Sequence, residues 1–330
     1  MKRIIYLISC VFLTHVSWSQ DLYVGSGAAI TTLPGSVLFV GSNTSIDALA
    51  SLTTTSDATA SGSFIVSGTT TGNITYKRYI EDINWHLVSA PVTSQSIPSF
   101  VGVAGNAVAI STTTGSSAVS YYKNTNTAGN RWTYHNAAPD GNENQETLTN
   151  FIAGQGYSMK KTAIGDYTFT GAMANADVSV TIPTTTTTGT HLWTAIGNPF
   201  PSFLAVNNAA DVANLLVDNV DALADSYAAI YVWSVVEDDY VPVGLNDPAA
   251  LQLAPGQAFL VRAKTDGQTF IFKKTLQKHN SGSATFYRPS TRPSTATPTI
   301  SVHLTNGTSS KSANLEFLDS STTGLDVGYD

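Results

Sequence analysis

The sequence has almost no cysteine, little charge and few basic residues, and each shortage excludes a class of protein. Cys10 is the only cysteine among 330 residues, and it lies in an apolar N-terminal stretch. If that stretch is removed, the mature chain has neither a disulfide nor a cysteine-ligated metal. The alternative is that Cys10 belongs to a lipoprotein box and is lipidated. Charged residues make up only 12% and the net charge is −7, which excludes the basic footprint of a nucleic-acid-binding protein.

Catalytic signatures are also missing. The chain contains no Gly-x-Ser-x-Gly elbow, no His-Glu-x-x-His, no phosphate-binding loop and no dinucleotide glycine fingerprint. Its histidines after the N-terminal stretch have no metal-ligand spacing; they are His86, His135, His191, His279 and His303. We therefore expect a protein that is not an enzyme and has no cofactor.

The first residues have the pattern of an export signal. Lys2 and Arg3 precede an apolar run over 4–16, and small serines stand just before Gln20. This order predicts a secretory signal peptide over 1–19, and the run is too short to cross a bilayer. Cleavage would remove two of the 16 basic residues and change the net charge from −7 to −9.

The rest of the chain is rich in Thr, Ser, Gly and Val, a composition that favours strands and tight turns. Residues 20–73 have short apolar bursts between turn residues. They predict a β-rich segment, either a solenoid-like stalk or the edge of a sheet. An irregular Ser/Thr-rich linker is the alternative for this segment.

Two stretches repeat in the same order. Trp85 to Pro91 matches Trp193 to Pro199, and Ala153-Gly-Gln-Gly-Tyr157 matches Pro255-Gly-Gln-Ala-Phe259. Further matches pair Ala118–Tyr122 with Ala229–Trp233, Trp132 with Tyr240, and Phe169 with Phe270. We predict an all-β fold with two tandem antiparallel β-sandwich-like repeats, over 74–183 and 184–287.

Three further segments complete the predicted organisation. Helical spacing of apolar residues between Ala205 and Asp225 predicts one short helix at an end of the second repeat. A proline-rich linker is predicted over 288–298. Alternating residues over 299–330 predict the start of a third β-domain that this sequence does not complete.

The candidate binding residues are few. Asp140, Asn142 and Asn144 stand at alternate positions, as oxygen ligands do in calcium loops. The glycine and the final glutamate of such a loop are missing, so a hydrated loop is the favoured interpretation. Core packing is favoured for the repeated aromatic residues, and a carbohydrate-stacking platform is the alternative.

The motif Gly197-Asn-Pro-Phe-Pro-Ser202, followed by Ala229–Trp233 and Ala254–Phe259, resembles large secreted and cell-surface proteins of the Bacteroidetes. Proteins of that group typically carry a C-terminal sorting domain for type IX secretion. The tail from Leu315 looks like the start of the β-domain that often precedes it. The resemblance covers about 74–330 and implies no particular activity.

These features together predict an exported structural or adhesion module of a Gram-negative bacterium, located extracellularly or at the outer-membrane surface. It would be a type IX cargo without a transmembrane span, and its partners would be the secretion machinery and a surface polysaccharide or surface protein. The alternatives are a carbohydrate-binding module and an accessory region of a secreted enzyme.

Overall fold

The computed structural model describes residues 21–183, 192–234 and 239–281, and the backbone of 299–305 and 310–316. The predicted signal peptide, the threonine tract after Pro183, the proline-rich linker and the tail after Glu316 lie outside the described residues. The described chain is all-β, as predicted, with short helices between strands. The boundaries of the predicted domains and the repeat itself stay predictions.

The N-terminal part is built from short strands stacked in parallel. They are β1 (Leu22–Val24), β2 (Ala29–Thr32), β3 (Val37–Val40), β4 (Thr44–Ile46), β5 (Ser51–Thr55), β6 (Ser63–Val66) and β7 (Thr70–Thr71). β1, β4 and β7 form one parallel ladder, β2 and β5 a second, and β3 and β6 a third. Each turn of the chain therefore stacks on the one before it, which is the arrangement of a β-solenoid.

Polar side chains hold one corner of the solenoid. Asp21 Oδ1 accepts a hydrogen bond from the backbone N of Asn43 at 3.0 Å. Asn43 Oδ1 in turn accepts from the backbone N of Thr69 at 2.9 Å. Because the strands are short, these side chains satisfy the backbone donors that the ladders leave at the corner.

The first sheet unit follows directly. It contains β8 (Ile74–Ile80), β9 (Trp85–Val88), α1 (Ile97–Gly102), β10 (Val119–Tyr122), β11 (Trp132–His135), β12 (Gln145–Glu146), β13 (Tyr157–Lys160) and β14 (Gly165–Gly171). β8 pairs in parallel with β5 of the solenoid and antiparallel with β14. One buried apolar cluster contains side chains of both the solenoid and this unit, so the core is continuous from one to the other.

The second sheet unit has its own apolar cluster. Its elements are β15 (Val178–Ile182), β16 (Trp193–Gly197), β17 (Phe203–Ala205), α2 (Leu215–Asn219), β18 (Ala229–Ser234), β19 (Asp239–Gly244), β20 (Gln252–Leu253), β21 (Ala258–Arg262), β22 (Gln268–Phe272) and β23 (Gln277–Lys278). The strands β24 (Thr299–Thr305) and β25 (Ser310–Glu316) form an antiparallel pair. Short 3₁₀ turns lie at Ala104–Asn106, Val220–Ala222, Asp225–Tyr227 and Lys274–Leu276.

The main sheets of the two units have corresponding strand orders. The order is β9-β13-β10-β11 in the first, with β12 added at the edge, and β16-β21-β18-β19 in the second. Register also corresponds, since Trp85 pairs with Lys160 and Trp193 pairs with Arg262. Likewise β8 pairs with β14 and β15 pairs with β22, both antiparallel.

The two main sheets meet through their glycine-containing turns. Gln155 forms an antiparallel bridge with Ile196, and Gln257 forms one with Val88. Each unit therefore adds its turn to the first main-sheet strand of the other. The backbones approach so closely that a Cβ on Gly156 would lie 2.9 Å from the backbone N of Ile196. The glycine that both turns share, Gly154 or Gly256, has a positive φ of 80° or 72°, a conformation that favours glycine.

The second unit also touches the solenoid. Pro201 O accepts a hydrogen bond from Phe64 N at 2.8 Å. The ring nitrogens of His279 lie 3.0 Å from Ser63 Oγ and 3.1 Å from Gly35 O. Lys274 Nζ donates to Ser67 O at 3.2 Å. These contacts join strand ends that are more than 100 residues apart in sequence.

The helices differ from the sequence prediction in length and number. Within 205–225, α2 covers only Leu215–Asn219, where Asn214 caps it by accepting from Val217 N at 3.0 Å. The expectation of a single helix was wrong, because α1 begins with Ser96 as its cap and Pro98 in its first turn. None of the described helices is long and apolar enough to cross a bilayer.

Candidate functional site

The candidate calcium residues lie in the loop between β11 and β12. Asp140 Oδ1 accepts hydrogen bonds from Asn142, at 3.0 Å from its backbone N and 2.7 Å from Nδ2. This is a closed polar turn, and it uses one of the proposed ligand oxygens internally. In the part of the chain that the structure describes, no group of three or more His, Cys, Asp and Glu side chains converges. The calcium site stays a prediction.

The same loop forms one wall of a cleft. The cleft encloses about 650 Å³, within the range of about 300–1,000 Å³ that is usual for small-molecule sites. Asn142 and Asn144 line it, and Asp140 does not. Its lining residues are Trp85, Ala109, Ile110, Ser111, Thr114, Ser116, Ser117, Ala118, Asn130, Tyr134, Asn142, Glu143, Asn144, Gln145 and Lys160.

Glu143 anchors this wall from within. Its carboxylate accepts hydrogen bonds from the side chain and backbone N of Thr127, and Asn130 Nδ2 donates to it at 2.7 Å. The bonds from Thr127 and then from Asn130 lower the pKa of Glu143, so the side chain is ionised at neutral pH. Both carboxylate oxygens are committed to holding the loop in place.

The opposite wall is an irregular segment over 109–118. A bridge between Ile110 and Ser117 closes it, and Ser111 Oγ accepts from the backbone N of Thr114 at 3.1 Å. The segment is held against β13 because Ala109 N donates to Lys160 O at 3.0 Å. Backbone hydrogen bonds therefore position this wall relative to the sheet.

The aromatic floor of the cleft is Trp85. Its side chain is 37% exposed, and Tyr134 packs against it edge-on with ring centroids 5.9 Å apart. Lys160 Nζ lies 6.0 Å from the indole centroid, because Lys160 pairs with Trp85 across β13 and β9. The indole can stack on the apolar face of a ligand ring. The ammonium group, amides and hydroxyls around it can form hydrogen bonds with the polar groups of the same ligand.

The other three described tryptophans pack between the sheets. Trp132, Trp193 and Trp233 are half-buried against a small cluster formed by Leu87, Ala195, Ala258 and Leu260. Tyr122 meets Trp132 at 5.1 Å, and Trp233 meets Tyr240 at 5.0 Å. None of the four tryptophans is fully buried, and Trp85 is the most exposed of them.

The position corresponding to Trp85 is covered in the second unit. Trp193 lies 5.6 Å from Tyr227 and 4.8 Å from Tyr231, measured between ring centroids. Arg262 stacks over Tyr227 at 4.3 Å. Trp193, which is half-buried, therefore has two tyrosine rings packed against it, whereas Trp85 has one and lines a cleft.

The three histidines whose side chains are described make structural hydrogen bonds. His86 Nε2 lies 3.0 Å from Asp82 Oδ1, and His135 Nδ1 accepts from Leu148 N at 3.1 Å. Burial lowers the pKa of His86, although Asp82 opposes the shift, and burial also lowers the pKa of His135. His279 bridges to the solenoid. All three histidines therefore contribute hydrogen bonds to the fold.

Sequence reasoning missed Tyr134, Lys160 and the wall over 109–118. The repeat contained a signal for one of them, because the strand after each glycine turn ends in a cation, Lys160 or Arg262, opposite a tryptophan. The segment over 109–118 has no such signal in the sequence, since its composition is that of an ordinary polar surface loop. Only the fold brings it to the tryptophan.

The described chain is an all-β protein whose two main sheets, antiparallel apart from the edge strand β12, exchange turns, and whose first sheet has an open aromatic cleft. A family model described as "Domain of unknown function (DUF8693)" matches residues 8–330. The chain therefore belongs to this family. Comparisons with curated proteins and with solved structures give no match.

Proposed function

We propose that the chain is an exported, non-enzymatic structural or adhesion module that is displayed at the bacterial surface as a cargo of type IX secretion. The observation that supports this proposal best is the backbone pairing that joins the solenoid and the two sheet units. The solenoid and the two sheets share backbone pairing, and their glycine turns reach into each other. Such a body can present a surface at a fixed orientation without disulfides, which an exported chain with one early cysteine requires.

Two further observations fit a non-enzymatic role. The described histidines are engaged in structural hydrogen bonds, and the carboxylate in the cleft, Glu143, is engaged by Thr127 and Asn130. A general base needs a lone pair directed at a substrate, whereas His135 directs the lone pair of Nδ1 at the backbone N of Leu148.

Carbohydrate binding is a second candidate function, and it is compatible with adhesion. It is favoured by the exposure of Trp85 in a cleft with an amide-rich wall. Pyranose rings commonly need both an aromatic face and several hydrogen-bonding groups.

The surface proposal is tested in the producing bacterium. Intact cells would be treated with a protease, and an antibody against the mature chain would follow its loss. We expect degradation on intact cells, protection when type IX secretion is disabled, and weaker attachment of cells that lack the gene. Retention inside the cell in the wild type would contradict export. Turnover of a glycoside or ester panel by the purified chain would contradict the non-enzymatic assignment.

A further inference from the structure

We propose that the cleft at Trp85 binds a neutral pyranose oligosaccharide, with one sugar ring stacked on the indole. This inference rests on the proposed adhesion function and gives it a site and a ligand class. The indole is 37% exposed and stands at the floor of a cleft of about 650 Å³. That volume suits a ligand of a few rings and not a flat protein partner.

The floor supplies the stacking surface. Tyr134 meets the indole edge-on at 5.9 Å with an interplanar angle of 64°, so it fixes the tryptophan ring by packing. A rigid aromatic side chain loses little conformational entropy on binding, because its rotamer is already restrained. The apolar face of a pyranose presents aligned C–H groups that can lie against such a ring.

The walls supply groups that match hydroxyls. Gln145 Oε1 and Asn142 Nδ2 are engaged with Asn136 and Asp140, which orients both amides. The side chain of Asn144 makes no hydrogen bond to the described residues and lines the cleft. Ser111 and Thr114 add hydroxyls on the opposite wall. A sugar hydroxyl both donates and accepts, so a lining that mixes amides and hydroxyls suits it better than a purely donating site would.

The charges in the cleft favour a neutral ligand. Lys160 has no ion pair with the described residues, and its Nζ lies 6.0 Å from the indole centroid. Glu143 is ionised across the cleft and is held by Thr127 and Asn130. One cation and one anion therefore line the same space. An anionic sugar would meet Glu143 and a cationic one would meet Lys160, whereas a neutral sugar can accept a hydrogen bond from the ammonium group.

The second unit shows that this opening is not a general property of the sheet. At the corresponding place Trp193 is covered by Tyr227 and Tyr231, and Arg262 stacks on Tyr227. In the first unit Lys160 stands in place of Arg262 without a tyrosine beneath it. The side chains around the two matched tryptophans therefore differ between the units.

The test is a binding titration of the full mature chain with defined hexasaccharides. The neutral probes are β1,4-glucan, β1,4-mannan, β1,4-galactan and α1,4-glucan, and the charged probe is an oligogalacturonate. We expect saturable binding of at least one neutral probe by calorimetry. Trp85→Ala should weaken it about tenfold or more, and Lys160→Met and Asn144→Ala about threefold each.

The controls separate a lost site from a lost fold. Phe39→Ala removes another exposed aromatic ring, 62% exposed on the solenoid, and should leave the affinity unchanged. Trp85→Phe keeps a ring and should retain part of the binding even if Trp85→Ala folds poorly. Thermal unfolding of each variant checks the fold.

Three results would overturn the proposal: binding of none of the neutral probes, binding only of the charged probe, or binding that Trp85→Ala and Lys160→Met leave intact. The adhesion proposal fails separately. A chain that binds sugar but is retained inside the cell would contradict surface display, and a surface chain that binds no sugar would contradict this site alone.

Discussion

Trp85 and Trp193 begin corresponding strands but have different surroundings. Trp193 is enclosed by Tyr227 and Tyr231, while Trp85 has Tyr134 on one side and a cleft beside it. In the sequence match, Ser120 stands where the second unit has Tyr231. The small Ser120 side chain instead donates to Ser158 O at 3.1 Å. Strand pairing is thus the same in both sheets, and a few facing side chains decide whether a sheet is closed or open.

The turns after these strands differ in a second way. Ala90 precedes Pro91 in the first unit, and Asn198 precedes Pro199 in the second. Asn198 is fully buried, donates to Ser202 O at 2.7 Å and Ala254 O at 3.2 Å, and accepts from Phe200 N at 3.0 Å. The second turn is therefore held by its own Asn198 side chain, whereas the first has alanine at this position.

The largest expected change in stability comes from giving the second turn the alanine that the first turn has before its proline. Asn198→Ala should reduce the free energy of unfolding by about 3 kcal/mol, because buried backbone groups would lose their partner. Urea unfolding followed by circular dichroism measures this change. The exposed Asn150 provides the control, and Asn150→Ala should change stability by less than about 0.5 kcal/mol. Equal effects of the two substitutions would show that the amide does not hold the turn.

The next largest loss of stability is expected at the contact between Ser89 of the first unit and Gly197 of the second. Ser89 and Gly197 match in sequence, and a Cβ on Gly197 would lie 2.6 Å from the Cβ of Ser89. Only one of the two positions has room for a side chain. Gly197→Ser should therefore destabilise the protein by about 2 kcal/mol through overpacking.

A swap tests this explanation directly. Adding Ser89→Gly to Gly197→Ser should recover part of the loss, since it removes one of the two Cβ atoms, those of Ser89 and Ala258, that crowd position 197. Chemical unfolding of the wild type, both single variants and the double variant completes the cycle. Strictly additive losses would mean that the two positions do not compete for space.

A smaller effect is expected from uncovering Trp193. Tyr227→Ala removes one edge-on ring and the surface on which Arg262 stacks. We expect a loss of about 1 kcal/mol and stronger quenching of tryptophan fluorescence by acrylamide. Tyr23→Ala, at a tyrosine 66% exposed on the solenoid, should not increase the quenching. Unchanged quenching in Tyr227→Ala would show that Tyr227 does not shield the indole.

A final effect is a dependence of stability on pH. Lys161 follows Lys160, and its counterpart after Arg262 is Ala263. Lys161 is buried and donates to Asn106 O at 2.5 Å and Asp166 O at 2.8 Å. Burial lowers its pKa to about 8, although the charge of Asp166 opposes the shift.

Because the pKa is lower in the folded state than in the unfolded state, the unfolded chain binds more protons above pH 8. Stability should therefore rise by about 1 kcal/mol per pH unit between pH 8 and 9 from this group. Lys274, whose pKa burial also lowers, adds in the same direction. Lys161→Met should flatten the slope, whereas Lys264→Met, at an exposed lysine, should not. A slope that Lys161→Met leaves unchanged would reject the assignment.

The sequence predicted the strand content because Thr, Val and aromatic residues alternate between turn residues. The predicted repeat came from two patterns that are rare enough to be matched, a tryptophan before a proline and a glycine turn before an aromatic residue. It could not show that the glycine turns cross between the units, because the contact of Gln155 with Ile196 depends on how two sheets meet.

The candidate site was only partly predictable. The loop around Asn142 was singled out by its polar residues, but only as a hydrated loop or, less favoured, as a calcium site. Its neighbours in the cleft come from strands and a wall distant in sequence, among them Trp85 and Lys160. Short-range patterns cannot report such distances, and therefore the aromatic residues were assigned to core packing as a group although Trp85 is 37% exposed.

The exchanged turns have a consequence for the order in which the chain is completed. Val88 receives its partner, Gln257, only after another 169 residues have been synthesised. Until then the first main-sheet strand of the first unit has an open edge, and a second copy of the chain could supply the same turn. Docking of the second unit therefore supplies a backbone pairing that the first unit cannot supply by itself.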